Sequence, residues 1–116
     1  DTLGHRAGDE VLVQVAARLT ETVRTGDVAT RLGGDEFVVL LETVPQESVA
    51  VAVADRVIAA ISAPMTLASG QEVRVGASVG VTLSHDDRIT ADALLHQADL
   101  ALYRAKGSGR GRTVVY

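Results

Sequence analysis

The run T-R-L-G-G-D-E-F-V-V-L-L-E, residues 30–42, decides how this chain is read. Gly33-Gly34-Asp35-Glu36 interrupts what would otherwise be one apolar stretch. Val28–Leu32 and Phe37–Leu41 are short and rich in β-forming residues, so the four residues between them predict a hairpin turn. Tight turns favour glycine and aspartate, and a bare turn needs nothing more. Two adjacent acids beside two adjacent glycines allow a second use. Glycines let a ligand approach the backbone with no Cβ in the way. Paired carboxylates are hard oxygen ligands for Mg²⁺ or Mn²⁺, and such an ion neutralises phosphate. The second run is apolar throughout, which predicts a strand covered on both faces.

Outward from the hairpin, helices alternate with strands. Residues 1–8 read as a loop, and Asp9 reads as the cap of a first helix. That helix carries Val11, Leu12, Val15, Ala16, Leu19 and Val23 on one face and stops at Gly26. Pro45 and Gln46 lead into a second helix, about residues 46–62, with a stripe of Val49, Val53, Val57, Ile58 and Ile61; Ala63-Pro64 ends it. Met65–Ala68 and Gln71–Leu83 flank Ser69-Gly70, a second hairpin. Its long strand sets Val73, Val75, Ala77, Val79 and Val81 against Arg74, Gly76, Ser78, Gly80 and Thr82. Small residues on that second face predict the close approach of a helix or a ligand. Thr90 caps a third helix, with Leu94, Leu95, Ala98, Leu102 and Ala105 on its buried face. Lys106 to Arg112 is a basic glycine-rich loop, and Thr113–Tyr116 a last strand. No repeat, linker or low-complexity segment occurs. The expected class is α+β, an antiparallel-rich sheet with helices packed on it.

Bulk properties narrow the functions. The chain of 116 residues fits one domain with a real core, 47% of it apolar and only 3% aromatic. Its net charge of −4 opposes bulk electrostatic binding to nucleic acid or anionic lipid. Without cysteine there is no disulfide, thiol nucleophile or Cys-ligated zinc, in keeping with a cytoplasmic setting. No stretch is long and apolar enough to span a bilayer. The first residue is not Met, so the chain reads as processed or as part of something larger. His5, His85 and His96 show no metal-ligand spacing.

Two further clusters suit phosphate chemistry. Lys106-Gly-Ser-Gly-Arg110-Gly-Arg112 matches neither a Walker A loop nor a dinucleotide fingerprint. It suits a helix end with favourable cations, and equally a phosphate clamp of cations and amides. Arg24-Thr25-Gly26-Asp27 suits a turn with a surface ion pair, and equally an arginine grip on phosphate or base.

Together these residues resemble the GGDEF family of bacterial diguanylate cyclases. D-T-L-G-H-R-A-G-D-E-V-L (1–12) resembles its loop and helix start, and A-T-R-L-G-G-D-E-F (29–37) its central hairpin. S-V-G-V (78–81) resembles its late strand, and A-D-L-A-L-Y-R-A-K-G-S-G-R (98–110) its last helix and phosphate loop. The order is the family's and the coverage nearly complete. The resemblance implies a fold related to nucleotidyl cyclases and polymerase palm domains. It implies that two GTP molecules become cyclic di-GMP and two pyrophosphates, between two domains facing each other as a homodimer. By the same resemblance Asp35 holds the divalent metal and accepts the 3′-hydroxyl proton, while Glu36 adds charge to the metal site. Gly33 and Gly34 admit the nucleotide, Asp9 reads the guanine edge, and Lys106 and Arg110 hold the phosphates. Arg24-x-x-Asp27 resembles the inhibitory site that binds the cyclic product.

The family also places a strand, bearing a second metal-binding aspartate, before the first loop, and an asparagine just before the position of Asp1. Neither is in this sequence, and the resemblance transfers those roles to no residue here. The 116-residue stretch therefore reads as a partial GGDEF domain, spanning residues 1–116, with its first strand missing. It is expected to turn over little or no GTP by itself, while a longer parent protein, membrane-attached or not, is active. Two other functions fit the pattern less well: a non-catalytic regulatory module binding GTP or cyclic di-GMP, and a structural dimerisation unit. The intact signature residues favour catalysis.

Overall fold

The computed structural model describes residues 4–85 and 88–116. In chain order the elements are α1 (Gly4–Thr22), β1 (Val28–Gly33), β2 (Glu36–Leu40), α2 (Glu47–Ser62), β3 (Met65–Thr66), β4 (Glu72–Val73), β5 (Val79–Val81), α3 (Ala91–Gly107) and β6 (Thr113–Val115). Helix, hairpin, helix, hairpin, helix, strand is the order that the apolar periodicities predict. The first three positions of the predicted 1–8 loop lie outside the described residues.

The core forms where the stripes of α1 and α2 meet. Val15 and Leu19 of α1 pack with Val53, Val57 and Ile61 of α2 and with Met65. Each such buried aliphatic side chain contributes about 1.5–3 kcal/mol. The inward residues of the strands close over them: Ala29, Phe37, Val39 and Leu41 from the first hairpin, and Val73, Val75, Ala77 and Val79 from the next segment. A polar stripe of α1, four residues apart, fastens that helix to the end of α2 and to the segment that follows it. Glu10 accepts from the Ala68 amide at 2.7 Å and Gln14 donates to the Thr66 carbonyl at 3.0 Å. The Arg18 guanidinium donates to the carbonyls of Ala60, Ala63 and Pro64 at 2.9, 2.6 and 2.7 Å. These lie at the C-terminal end of α2, where carbonyls lack helical partners and the dipole favours a cation.

Several sequence expectations shift. Helix α1 begins at Gly4, so residues 4–8 are helical and Asp9 sits inside the helix instead of capping it. Apolar periodicity begins only at Val11 and is silent about the preceding turn, which propagates backward from the packed part at one hydrogen bond per residue. The helix ends at Thr22, before Gly26, which instead has φ +95 in the turn that follows. Strand β2 is not covered on both faces: Phe37, Val38 and Val39 are half-buried and Leu40 is 59% exposed. It pairs only with β1 among the described residues. The predicted long strand 71–83 is laddered only at β4 and β5; residues 74–78 keep the alternation without a strand partner.

The described strands form three two-stranded ladders, β1–β2 and β3–β4 antiparallel, β5–β6 parallel. The small-residue face is the seat of α3. A Cβ on Gly80 would lie 2.3 Å from the Ala98 carbonyl oxygen and 2.4 Å from the Leu102 nitrogen, so only glycine lets the helix come this close. Two positions on, the Thr82 hydroxyl donates to Gln97 Oε1 at 2.6 Å. Ala105 is buried as expected, but this contact also buries Ala101 and leaves Leu95 40% exposed. Thr90 caps α3 as expected, accepting from the Ala93 amide at 3.1 Å.

Candidate functional site

The Gly-Gly-Asp-Glu segment is the tip of the first hairpin. Register runs Val28↔Leu40, Ala29↔Val39, Thr30↔Val38 and Arg31↔Phe37, then slips by a bulge so that Gly33 faces Glu36. Gly34 takes φ +53, a left-handed conformation that glycine adopts without Cβ crowding. No heavy atom lies within 4 Å of an added Cβ at Gly33 or Gly34, so the tip is open on that side. Asp35 and Glu36 are exposed, and among the described residues neither side chain has a hydrogen-bond or ion-pair partner. Sequence reading missed one residue here. The Arg31 side chain folds back along its own strand and donates through Nε to the Gly34 carbonyl at 2.7 Å, bracing the turn. The available signal was its place two residues after Ala29, on the same face of β1.

Arg24 and Asp27 occupy the opposite end of the hairpin. Asp27 N–H donates to the Arg24 carbonyl at 3.0 Å, closing a four-residue turn with Gly26 at its third position. Arg24 donates to Asp27 Oδ2 through Nε at 3.0 Å and through its backbone amide at 3.2 Å. Asp27 Oδ1 accepts from the Glu42 amide at 3.3 Å, and Arg24 Nη2 donates to the Thr43 carbonyl at 3.0 Å. The turn is thus stitched to the end of β2. The Asp27 side chain is 4% exposed and the Arg24 side chain 42%. The Arg24 hydrogen bond holds the Asp27 carboxyl below the ordinary carboxylate range, helped by the Glu42 and Arg24 amides against an opposing push from desolvation. A shallow depression beside this turn is lined by Thr20, Val23, Thr25 and Val28 along with the pair.

The remaining predicted residues lie elsewhere. Asp9 is exposed on α1, in a depression shared with Arg6, Glu10, Val13 and Gln14 of the same helix. Lys106 is in the last turn of α3, and Arg110 follows in the loop, both exposed. Arg110 has φ +58, between Gly109 at +122 and Gly111 at +60. The structure brings Asp35 together with Glu36, and Arg24 with Asp27; it forms no direct contact joining Asp9, the hairpin tip and Lys106.

No described cluster of three or more His, Asp or Glu side chains gathers as a ready-made metal cage. The donor set at the tip still fits one kind of ion. Mg²⁺ characteristically uses one or two carboxylates and takes its remaining ligands from water and substrate phosphates. Asp35 and Glu36 are two unpartnered carboxylates on an open turn.

The sequence model of the diguanylate cyclase GGDEF domain matches residues 1–112. The chain belongs to the GGDEF family. It is 44% identical over 111 residues to the diguanylate cyclase TpbB of Pseudomonas aeruginosa, an overlap covering 96% of this chain and 26% of TpbB. The chain thus spans about a quarter of the length of that relative. The crystal structure of the TpbB GGDEF domain superposes with a TM-score of 0.92 at 42% identity, over 99% of this chain and 71% of that one. The GGDEF domain of DgcB from Caulobacter crescentus, solved in complex with cyclic di-GMP, gives 0.86 at 26% identity, over 99% of this chain and 68% of that one. The α+β fold is therefore that of GGDEF domains. No helix among the described residues is long and apolar enough to cross a membrane.

Proposed function

We propose that residues 1–116 belong to the GGDEF domain of a diguanylate cyclase that condenses two GTP into cyclic di-GMP. The observation that carries this reading is the open hairpin tip, where two unpartnered carboxylates follow two glycines with nothing beside them. Diguanylate cyclases of this family generally use a divalent metal. Asp35 and Glu36 would hold Mg²⁺ or Mn²⁺, which when bound neutralises charge on the GTP phosphates. Asp35 accepts the proton of the 3′-hydroxyl as that oxygen bonds to the α-phosphorus of the second GTP. The bond from that phosphorus to the pyrophosphate oxygen breaks, and pyrophosphate leaves. Repetition of the step in the opposite sense closes the ring, so two domains must face each other.

Gly33 and Gly34 leave the backbone approachable for the nucleotide. Lys106 and Arg110 supply cations for its phosphates, and Asp9 offers a carboxylate to the N–H donors of guanine. Arg24 and Asp27 form the inhibitory site: the exposed part of the Arg24 guanidinium meets phosphate and guanine of the cyclic product. In the DgcB relative, cyclic di-GMP is the bound ligand, which supports product binding here.

The test is incubation of the full-length protein with GTP and Mg²⁺, with chromatographic detection of cyclic di-GMP and pyrophosphate. Product formation lost in Asp35→Asn supports the reading. Binding of GTP or cyclic di-GMP without any turnover would replace it with a regulatory binding module, and binding of neither nucleotide with a structural unit.

A further inference from the structure

Arg110 is the only described non-glycine residue with a positive φ. That region crowds the Cβ of any residue other than glycine, and such conformations persist where their surroundings over-determine them. A glycine at position 110 would take this φ without the crowding. Two bonds in the loop belong to the helix end itself. Ser108 N–H donates to the Arg104 carbonyl at 2.9 Å and Arg110 N–H to the Ala105 carbonyl at 3.0 Å, as at other left-handed helix ends. A third is different in kind. Gly111 N–H donates to the Ser78 hydroxyl oxygen at 3.1 Å, tying the residue after Arg110 to the segment that leads into β5. One residue further along each strand, Val79 N–H donates to the Arg112 carbonyl at 3.0 Å and the β5–β6 ladder begins. On the outer side, the Arg112 guanidinium covers Gly109, with Nη2 3.1 Å from where a Cβ would be.

We propose that Ser78 is a positioning residue for phosphate binding: by accepting the Gly111 N–H it fixes Arg110 in its left-handed conformation and aims that guanidinium alongside Lys106. This rests on the reading of Lys106 and Arg110 as the phosphate-holding cations. Ser78 lies on the small-residue face, where Thr82 and Gly80 seat α3. The same face therefore places the helix and, one step further along the chain, the loop that follows it. A serine suits the position because its hydroxyl oxygen can accept an amide N–H.

The test is calorimetric titration of GTP with Mg²⁺, and separately of cyclic di-GMP, into the wild-type protein, Ser78→Ala and Ser78→Thr, with hydrogen exchange of the Gly111 amide followed alongside. The expected result is a roughly fivefold to tenfold loss of GTP affinity in Ser78→Ala, the consequence of losing about one hydrogen bond. Faster Gly111 exchange accompanies it, cyclic di-GMP affinity stays unchanged, and Ser78→Thr restores both values. Wild-type GTP affinity in Ser78→Ala, despite faster Gly111 exchange, overturns the inference alone. Equal loss of both ligands in Ser78→Ala, or failure of Ser78→Thr to restore GTP binding, also overturns it by exposing a general structural role. Absence of GTP binding in the wild type overturns the proposed function and this inference with it.

Discussion

The two ends of the β1–β2 hairpin are built to opposite plans. At the base, Arg24 and Asp27 satisfy each other and the backbone of Glu42 and Thr43, and Asp27 is almost sealed. At the tip, about 20 Å away along six strand residues, Asp35 and Glu36 are exposed on a turn braced only through Arg31. Both ends carry acids, yet only the base spends its acid on the fold. The Asp27 carboxylate organises a turn and presents a fixed arginine, which suits recognition of a rigid ligand. The tip carboxylates keep their negative charge available for what comes from outside.

That contrast puts the largest effect at the tip. Asp35→Asn is expected to lower GTP turnover about a thousandfold, since metal-held charge is worth several kcal/mol in a transition state. Its melting temperature should stay at the wild-type value, because no folded contact is lost. A melting temperature that falls instead would show the tip carboxylate to be structural. Next comes Arg24→Ala, which should weaken cyclic di-GMP binding about a hundredfold in calorimetry through loss of charge-assisted bonds. Mg²⁺-dependent GTP binding should persist in that variant. Arg31→Gln should reduce turnover about fivefold by loosening the turn, a change read in initial rates.

The sequence displayed the hairpin and its acids plainly, because glycine punctuation and β-prone runs are local signals. It also displayed α2 and α3, whose stripes and the Thr90 cap lie within single helices. What it hid depends on partners distant in the chain. The start of α1 precedes any apolar periodicity. The burial of Ala101 follows from Gly80, some twenty residues earlier. The exposure of Leu40 reflects its place on the face of β2 turned away from the core, and its own apolar character suggested the reverse. In the same way, Arg24 and Asp27 were recognisable as a pattern. Their stitching to Glu42 and Thr43 was not, since it needs the hairpin to bring residues 15 to 19 positions apart into contact.

Two smaller effects sharpen the contrast further. Gly34→Ala is expected to destabilise the protein by about 1 kcal/mol in denaturant melts, through its left-handed φ alone, because no atom stands near the new Cβ. Asp27 contributes a pH dependence of its own. Its carboxyl lies below the ordinary range in the folded protein, so it stabilises the fold at neutral pH. That stabilisation should begin to fade as pH drops past the ordinary aspartate value and vanish below the folded one. Asp27→Asn should flatten this part of the acid-unfolding curve.

The central claim is that one hairpin carries a nucleotide-metal site at its tip and a separate cyclic-product site at its base. Calorimetric titration of GTP with and without Mg²⁺, and of cyclic di-GMP, into wild type, Asp35→Asn and Arg24→Ala tests it most directly. The account predicts that Asp35→Asn abolishes the Mg²⁺ dependence of GTP binding and spares cyclic di-GMP, while Arg24→Ala does the reverse. Unchanged Mg²⁺-dependent GTP binding in Asp35→Asn, or parallel loss of both ligands in either variant, would contradict it.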